Sequence, residues 1–116
     1  MTEQSSVDKE TLLERTDSDS ELLGELIEIF EEDAAGHITS IKDAITGGDY
    51  ETLEKSAHSL KGSSYNMSAQ RLADLALTLE EAGRNKTVEG MIPVHAQLEV
   101  EFQKVMPLLK QIHREM

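Results

Sequence analysis

The sequence contains no cysteine and few aromatic residues. Among its 116 residues none is cysteine, and aromatic side chains make up 3% of the chain, against 38% hydrophobic residues overall. The absence of cysteine excludes disulfides and thiolate metal sites, and it fits a reducing compartment. A core of Leu, Ile, Val, Ala and Met suits packed helices better than sheets, in which aromatic and β-branched residues are enriched. The composition therefore favours helices.

Long apolar runs are also missing. The N-terminal "MTEQSSVDKE" lacks the apolar segment of a signal peptide, and no run approaches the roughly 18 apolar residues of a membrane span. We therefore expect a cytoplasmic protein that does not enter a membrane. The length suits one domain, which we assign to residues 1–116 with residues 1–7 flexible.

Basic side chains are scarce. The chain has 11 Lys and Arg against 23 Asp and Glu, which gives a formal net charge of −12. Nucleic acids and anionic membrane surfaces require clustered Lys or Arg, so the charge argues against both as partners. A basic protein partner would suit the acidic surface, although solubility alone is the simpler explanation.

Apolar residues at helical spacing predict four long helices. The first stripe follows the capping residues of "TDSDS" and ends at Gly47 and Gly48, and the second starts behind Asp49. The third follows Ser68 as a helix cap and ends near Gly83, and the fourth follows "NKTVEG". The predicted buried residues of the first stripe are Leu22, Leu26, Phe30, Ala34, Ile38, Ile41 and Ile45.

The short connections between the stripes make successive helices antiparallel neighbours. The segment "KETLLER" before the first long stripe adds one short helix. The sequence thus predicts an all-α fold, an up-down antiparallel four-helix bundle with a short N-terminal extra helix.

A histidine and a glycine lie on the outer side of the second long helix. With about 100° of rotation per residue, His58 lies roughly 130° from the core direction and Gly62 nearly opposite the core. Lys61 falls between His58 and the buried face, as a mobile cation beside the ring. The buried face that defines these directions consists of Leu53, Ala57, Leu60 and Ser64.

The missing side chain of Gly62 leaves space over the turn that His58 occupies, because helical side chains lean toward the N-terminus. Another molecule can then approach the imidazole closely. An accessible imidazole beside a cation is suited to carrying a phosphoryl group, whose charge a lysine can partner. A surface histidine beside a tolerated glycine is the alternative that this spacing alone leaves open.

The stretch "AHSLKGSSYNMSAQRLADLALTLEEAGR" resembles the histidine-containing phosphotransfer (HPt) domain, whose motif runs H-x-L-K-G-S/A-S/A before an Asn-containing turn and a helix with "LE". The resemblance extends over about residues 7–115. In that family glycine often follows the Asn-hydrophobic pair, whereas this chain has Ser68 there.

The resemblance implies a role for each matched residue. It makes His58 the phosphoryl acceptor, Lys61 the cation that partners the phosphate, and Gly62 the small residue that permits docking. Glu80 aligns with a polar position that orients the imidazole through its other nitrogen. Arg84 is similar to a basic residue that some members place near the phosphate.

The partners that the resemblance implies are receiver domains of hybrid histidine kinases and of response regulators. An aspartyl phosphate would donate to the histidine, and a second receiver would accept from it. We expect no cofactor on this chain, with Mg²⁺ on the receiver domain, and a monomer that leaves the ring open. The sequence has no G-x-x-x-x-G-K-[ST] loop, so we expect no ATP-dependent kinase activity.

Two other interpretations compete with a phosphoryl carrier. A metal-binding bundle needs Glu-x-x-His pairs, and none of the four histidines has Glu three residues before it. A helical adaptor or scaffold without phosphoryl chemistry would explain the acidic surface but would leave the His-Lys-Gly spacing accidental. Of the remaining histidines, we expect His37 to be half-buried, and His95 and His113 to be surface residues without partners.

Overall fold

The computed structural model describes residues 6–116, which form five helices and no strand. Helices α2 to α5 each pack on the next, and α5 closes the ring against α2. This arrangement confirms the predicted all-α bundle with one short extra helix at the N-terminal end. The helices are α1 (Lys9–Arg15), α2 (Ser20–Gly47), α3 (Tyr50–Asn66), α4 (Gln70–Arg84) and α5 (Met91–Arg114).

Aspartate side chains begin the first three helices. Asp8, Asp19 and Asp49 each accept a hydrogen bond from the backbone N–H three residues later, at 3.0–3.1 Å. Such caps satisfy donors that the first helical turn leaves without partners. Helix α2 stops at Gly48, whose φ of 67° lies in the left-handed region that glycine adopts without strain. The predicted start of α3 and end of α2 are therefore confirmed.

The turn between α3 and α4 differs from the prediction. Ser68 does not cap α4, because Ala69 occupies the capping position and makes no side-chain cap bond. Ser68 instead has a φ of 58°. That left-handed conformation costs a non-glycine residue about 1–2 kcal/mol. Ser68 therefore adopts a strained conformation at the position where glycine is common in the family that the sequence resembles.

The N-terminal segment attaches to this same turn. Of the predicted flexible residues 1–7, residues 1–5 lie outside the described part of the chain, while Ser6 and Val7 are buried. The backbone N–H of Asp8 donates to the carbonyl oxygen of Ser68 at 2.9 Å. Arg15 at the end of α1 donates to the carbonyl oxygen of Tyr65. The segment before α2 is therefore bonded to the end of α3.

The core follows the predicted stripes except at the start of α2. The stripe from Phe30 to Ile45 is buried as expected, but Leu22 is 40% exposed and Leu26 is half-buried. Leu23 and Ile27 are buried in their place. The sequence "ELLGELIEIF" offers adjacent apolar residues at both registers, and the structure uses the one rotated by one residue. Among the helices of residues 6–116, none has the length and apolarity needed to cross a membrane.

Candidate functional site

His58 lies on the outer face of α3, in the middle of the helix. Its side chain is 67% exposed, and the opposite side of α3 is buried in the core. The predicted direction of the ring is therefore confirmed. The residues that α3 buries are Leu53, Ala57, Leu60 and Ser64.

A carboxylate from α4 binds one nitrogen of this ring. Nδ1 of His58 lies 2.8 Å from Oε2 of Glu80, whose residue is only 3% exposed. An ionised carboxylate can only accept hydrogen bonds, so in the neutral ring Nδ1 carries the proton and Nε2 carries the lone pair. No residue within 6–116 makes a hydrogen bond to Nε2. The pair thus holds the imidazole in one tautomer with its nucleophilic nitrogen facing solvent.

Glu80 is the centre of a charged cluster. Nζ of Lys61 lies 2.7 Å from its Oε1, and Nη2 of Arg84 lies 3.0 Å from its Oε2. Burial raises the pKa of this carboxyl, but the hydrogen bonds from Lys61 and His58 outweigh burial and lower its pKa below the ordinary 4.5. Glu80 is therefore ionised at neutral pH, which the role of proton acceptor from Nδ1 requires.

Lys61 and Arg84 are both paired with carboxylates of the chain. The side chain of Lys61 is 21% exposed and paired with Glu80, rather than mobile beside the ring as predicted. Arg84 remains 56% exposed and also contacts Oε2 of Glu54 at 3.4 Å. The buried carboxylate attracts the lysine, because an unpaired buried charge would be costly.

Gly62 leaves the predicted open space. A Cβ built at Gly62 would have no atom within 4 Å, and the residue is exposed one turn after His58. The structure thus brings the five residues singled out in the sequence to one surface between α3 and α4. Sequence reasoning missed Glu54, although its place four residues before His58, on a neighbouring face of the helix, was a usable signal.

The carboxylates of this surface do not suit a divalent metal. Glu80 and Glu54 are both paired with cationic side chains. No cluster of three or more potential metal-binding side chains occurs within the described residues. A Mg²⁺ ion bound at Glu80 would have to displace Lys61 or Arg84.

The other histidines lie elsewhere, and two of them differ from the prediction. His95 is buried at 3% exposure, with Nε2 2.9 Å from the carbonyl oxygen of Ile38. His113 is half-buried, and its Nε2 lies 3.0 Å from the carbonyl oxygen of Ser20. Both rings therefore link α5 to α2 instead of standing free on the surface. His37 is half-buried, as predicted.

Comparisons with solved structures agree with this fold. The crystal structure of histidine-containing phosphotransfer protein B from Pseudomonas aeruginosa superimposes with a TM-score of 0.89 at 29% identity, covering 98% of this chain and 99% of that one. The HPT domain of a sensor hybrid histidine kinase from Shewanella has a TM-score of 0.78 at 22% identity, with 96% of each chain covered. The second likeness supports the fold alone.

Sequence comparisons point the same way. Histidine-containing phosphotransfer protein 2 of Arabidopsis thaliana is 29% identical over 89 residues, which are 74% of this chain and 57% of that protein. The matched part thus spans little more than half of the relative. The family model described as "Hpt domain" matches residues 25–111, which include α3, α4 and every residue of the site. The chain belongs to the Hpt domain family.

Proposed function

We propose that this chain is a histidine phosphotransfer protein of a two-component phosphorelay. His58 would accept a phosphoryl group from the aspartyl phosphate of one receiver domain and pass it to the aspartate of another. The observation that supports this most directly is the exposed imidazole whose Nδ1 is bonded to buried Glu80, with Nε2 free among residues 6–116. The family match supplies the reaction class.

The transfer needs no proton donor, because no proton moves when the phosphoryl group does. The Nε2 lone pair attacks phosphorus, the bond between phosphorus and the aspartate oxygen breaks, and its electron pair leaves with the receiver's carboxylate. The ring then carries the proton on Nδ1 and the phosphoryl group on Nε2, so it is a cation. The Glu80 carboxylate, 2.8 Å from Nδ1, stabilises that cation. Attack on the same phosphorus by a second aspartate reverses these changes.

The two cations beside Glu80 have a further role in this proposal. Lys61 and Arg84 neutralise Glu80 before transfer, and they lie near the phosphoryl oxygens after it. Phosphoryl transfer depends mainly on positioning and on neutralising such charge. Gly62 lets the receiver approach the ring, because a Cβ there would project into the open space.

Some of what the reaction needs would come from the partner. Mg²⁺ would come with the receiver domain, since the carboxylates of this site are paired with Lys61 and Arg84. The chain would carry phosphate without phosphorylating itself from ATP. It would act in the cytoplasm. It would act as a monomer with respect to the His58 surface, because a second copy docked there would block the receiver.

Transfer of labelled phosphate tests the proposal. A receiver domain carrying radiolabelled aspartyl phosphate is mixed with the purified chain, and the label on the chain is expected to be acid-labile and base-stable. His58→Gln should abolish the label, because it removes the imidazole nitrogen that attacks phosphorus. His37→Gln and His113→Gln are matched controls and should keep it. Undiminished labelling of His58→Gln, or no labelling of the wild type by any receiver tested, would contradict the proposal and favour an adaptor.

A further inference from the structure

The backbones of α3 and α4 approach each other closely at a glycine of α4. A Cβ built at Gly83 would lie 2.6 Å from the backbone nitrogen of Glu54, 2.8 Å from the carbonyl oxygen of Tyr50 and 2.9 Å from Cα of Glu54. All three atoms belong to the backbone of α3, so no side-chain rotation can relieve the contact. Gly83 is the next-to-last residue of α4 and is buried. Its missing side chain is therefore what allows the two backbones to touch.

This contact lies next to the functional site. Gly83 is three residues after Glu80 and directly before Arg84, while Glu54 is four residues before His58. The approach at Gly83 and the 2.8 Å contact between Nδ1 and Oε2 are thus about one helical turn apart on the same pair of helices. The distance between α3 and α4 at Gly83 therefore sets the distance between them at the His58–Glu80 contact.

We propose that Gly83 is a positioning residue for phosphoryl transfer, because it sets the helix separation at which Glu80 reaches the His58 ring. The inference rests on the proposed function and extends it to a residue that touches no reacting atom. Non-bonded carbon contacts are optimal near 3.5–4.0 Å, so an alanine at this position forces α4 away from α3 by on the order of 1 Å. A 2.8 Å hydrogen bond lengthened by that amount is no longer an effective one.

The first test measures the ring itself and needs no phosphoryl donor. Nitrogen NMR of the imidazole reports which ring nitrogen carries the proton. The wild type is expected to show the proton on Nδ1, and Gly83→Ala is expected to shift His58 toward a mixture of the two tautomers. Because this readout is independent of transfer, it stays informative even if the proposed function fails.

The second test measures transfer. Gly83→Ala should slow the labelling of His58 about tenfold, since it loses the same charged hydrogen bond that Glu80 provides. In a Glu80→Gln background, Gly83→Ala should slow labelling by less than about a further twofold, because the hydrogen bond between His58 and residue 80 is already altered. An equal further loss in that background would show that Gly83 does not act through Glu80, and would overturn the inference.

The matched control is Gly36→Ala. Gly36 also lies inside a helix, but a Cβ there has no atom within 4 Å. The variant should leave both the tautomer and the transfer rate unchanged while strengthening α2. If Gly83→Ala alone does not fold, it is studied in the Gly36→Ala background with trimethylamine N-oxide, which favours the folded state. A folded Gly83→Ala protein with an unchanged His58 tautomer and unchanged transfer would overturn the inference.

Discussion

Residues 6–116 contain two histidine–glutamate pairs whose burial is opposite. In the first, the His58 side chain is 67% exposed and the Glu80 side chain is 4% exposed, with 2.8 Å between Nδ1 and Oε2. In the second, the His95 side chain is 4% exposed and the Glu99 side chain is 49% exposed, with 3.3 Å between Nδ1 and Oε1. The same two residue types therefore form a site open to a partner in one place and an internal link in the other.

The difference lies in the second ring nitrogen. Nε2 of His95 faces the carbonyl oxygen of Ile38 at 2.9 Å, so both nitrogens of that ring face an acceptor. Nε2 of His58 has no hydrogen-bond partner among residues 6–116. A nucleophile needs an accessible lone pair, and of these two rings it is the His58 ring that presents one. Burying the carboxylate instead of the ring leaves the orienting group fixed and the reacting nitrogen accessible.

Among the substitutions that test this comparison, the largest effect is expected from removing the charge of the buried carboxylate. Glu80→Gln keeps the shape of the side chain but no longer stabilises the phosphoimidazole cation. A hydrogen bond to a charged group contributes about 1.5–3 kcal/mol, which corresponds to a rate reduction of about 10- to 100-fold. Stopped-time labelling by a phosphorylated receiver measures this rate.

Glu99→Gln is the matched control for that change. Its side chain is about half exposed, so it should leave labelling unchanged and alter the free energy of unfolding by less than about 0.5 kcal/mol. If both substitutions slowed labelling equally, the conclusion that Glu80 and not Glu99 supports the reaction would be wrong.

The next effect concerns stability. His95→Ala removes a buried ring and its bond to the carbonyl oxygen of Ile38, and we expect a loss of about 2 kcal/mol in the free energy of unfolding. Urea denaturation measures it. Labelling of the folded variant should match the wild type, because His95 contributes nothing to the reacting surface. A His95→Ala protein of normal stability that transfers phosphate slowly would reverse the assignment of the two histidines.

The smallest expected effect is a change in the free energy of unfolding as the pH is lowered. The folded-state pKa of Glu80 is lowered, because hydrogen bonds from Lys61 and His58 outweigh the raising effect of burial. Its contribution to stability is therefore complete above the unfolded-state pKa and is lost as pH falls through the folded-state pKa. Urea denaturation from pH 7 down to pH 3 should show the wild type losing its advantage over Glu80→Gln below about pH 4.5. A constant difference between the two proteins over this range would mean that ionised Glu80 does not stabilise the fold.

The outward direction of His58 and most of the core could be predicted from the sequence, because helical periodicity depends only on local geometry. The start of α2 could not, since Leu22 and Leu23 fit the apolar pattern equally well and packing against the other helices decides which of them is buried. His95 was missed for a related reason. Its partner is the carbonyl oxygen of Ile38, 57 residues away, and no backbone acceptor is visible in a sequence.

At the site, the residue types were predictable and their pairings were not. The resemblance gave Glu80 and Arg84, but the attachment of Lys61 to Glu80 depends on how closely α3 and α4 pack. Gly83 illustrates the same limit. The sequence places the end of the helix near Gly83, and α4 does end at Arg84, but the contact of this glycine with the backbone of α3 has no signal in the sequence.

All the groups assigned to the chemistry belong to one helical hairpin. His58, Lys61 and Gly62 come from α3, and Glu80 and Arg84 come from α4. The outer faces of α1, α2 and α5 supply none of the assigned atoms. If His58 accepts the phosphoryl group as proposed, substitutions on those three faces leave the chemical step itself unchanged.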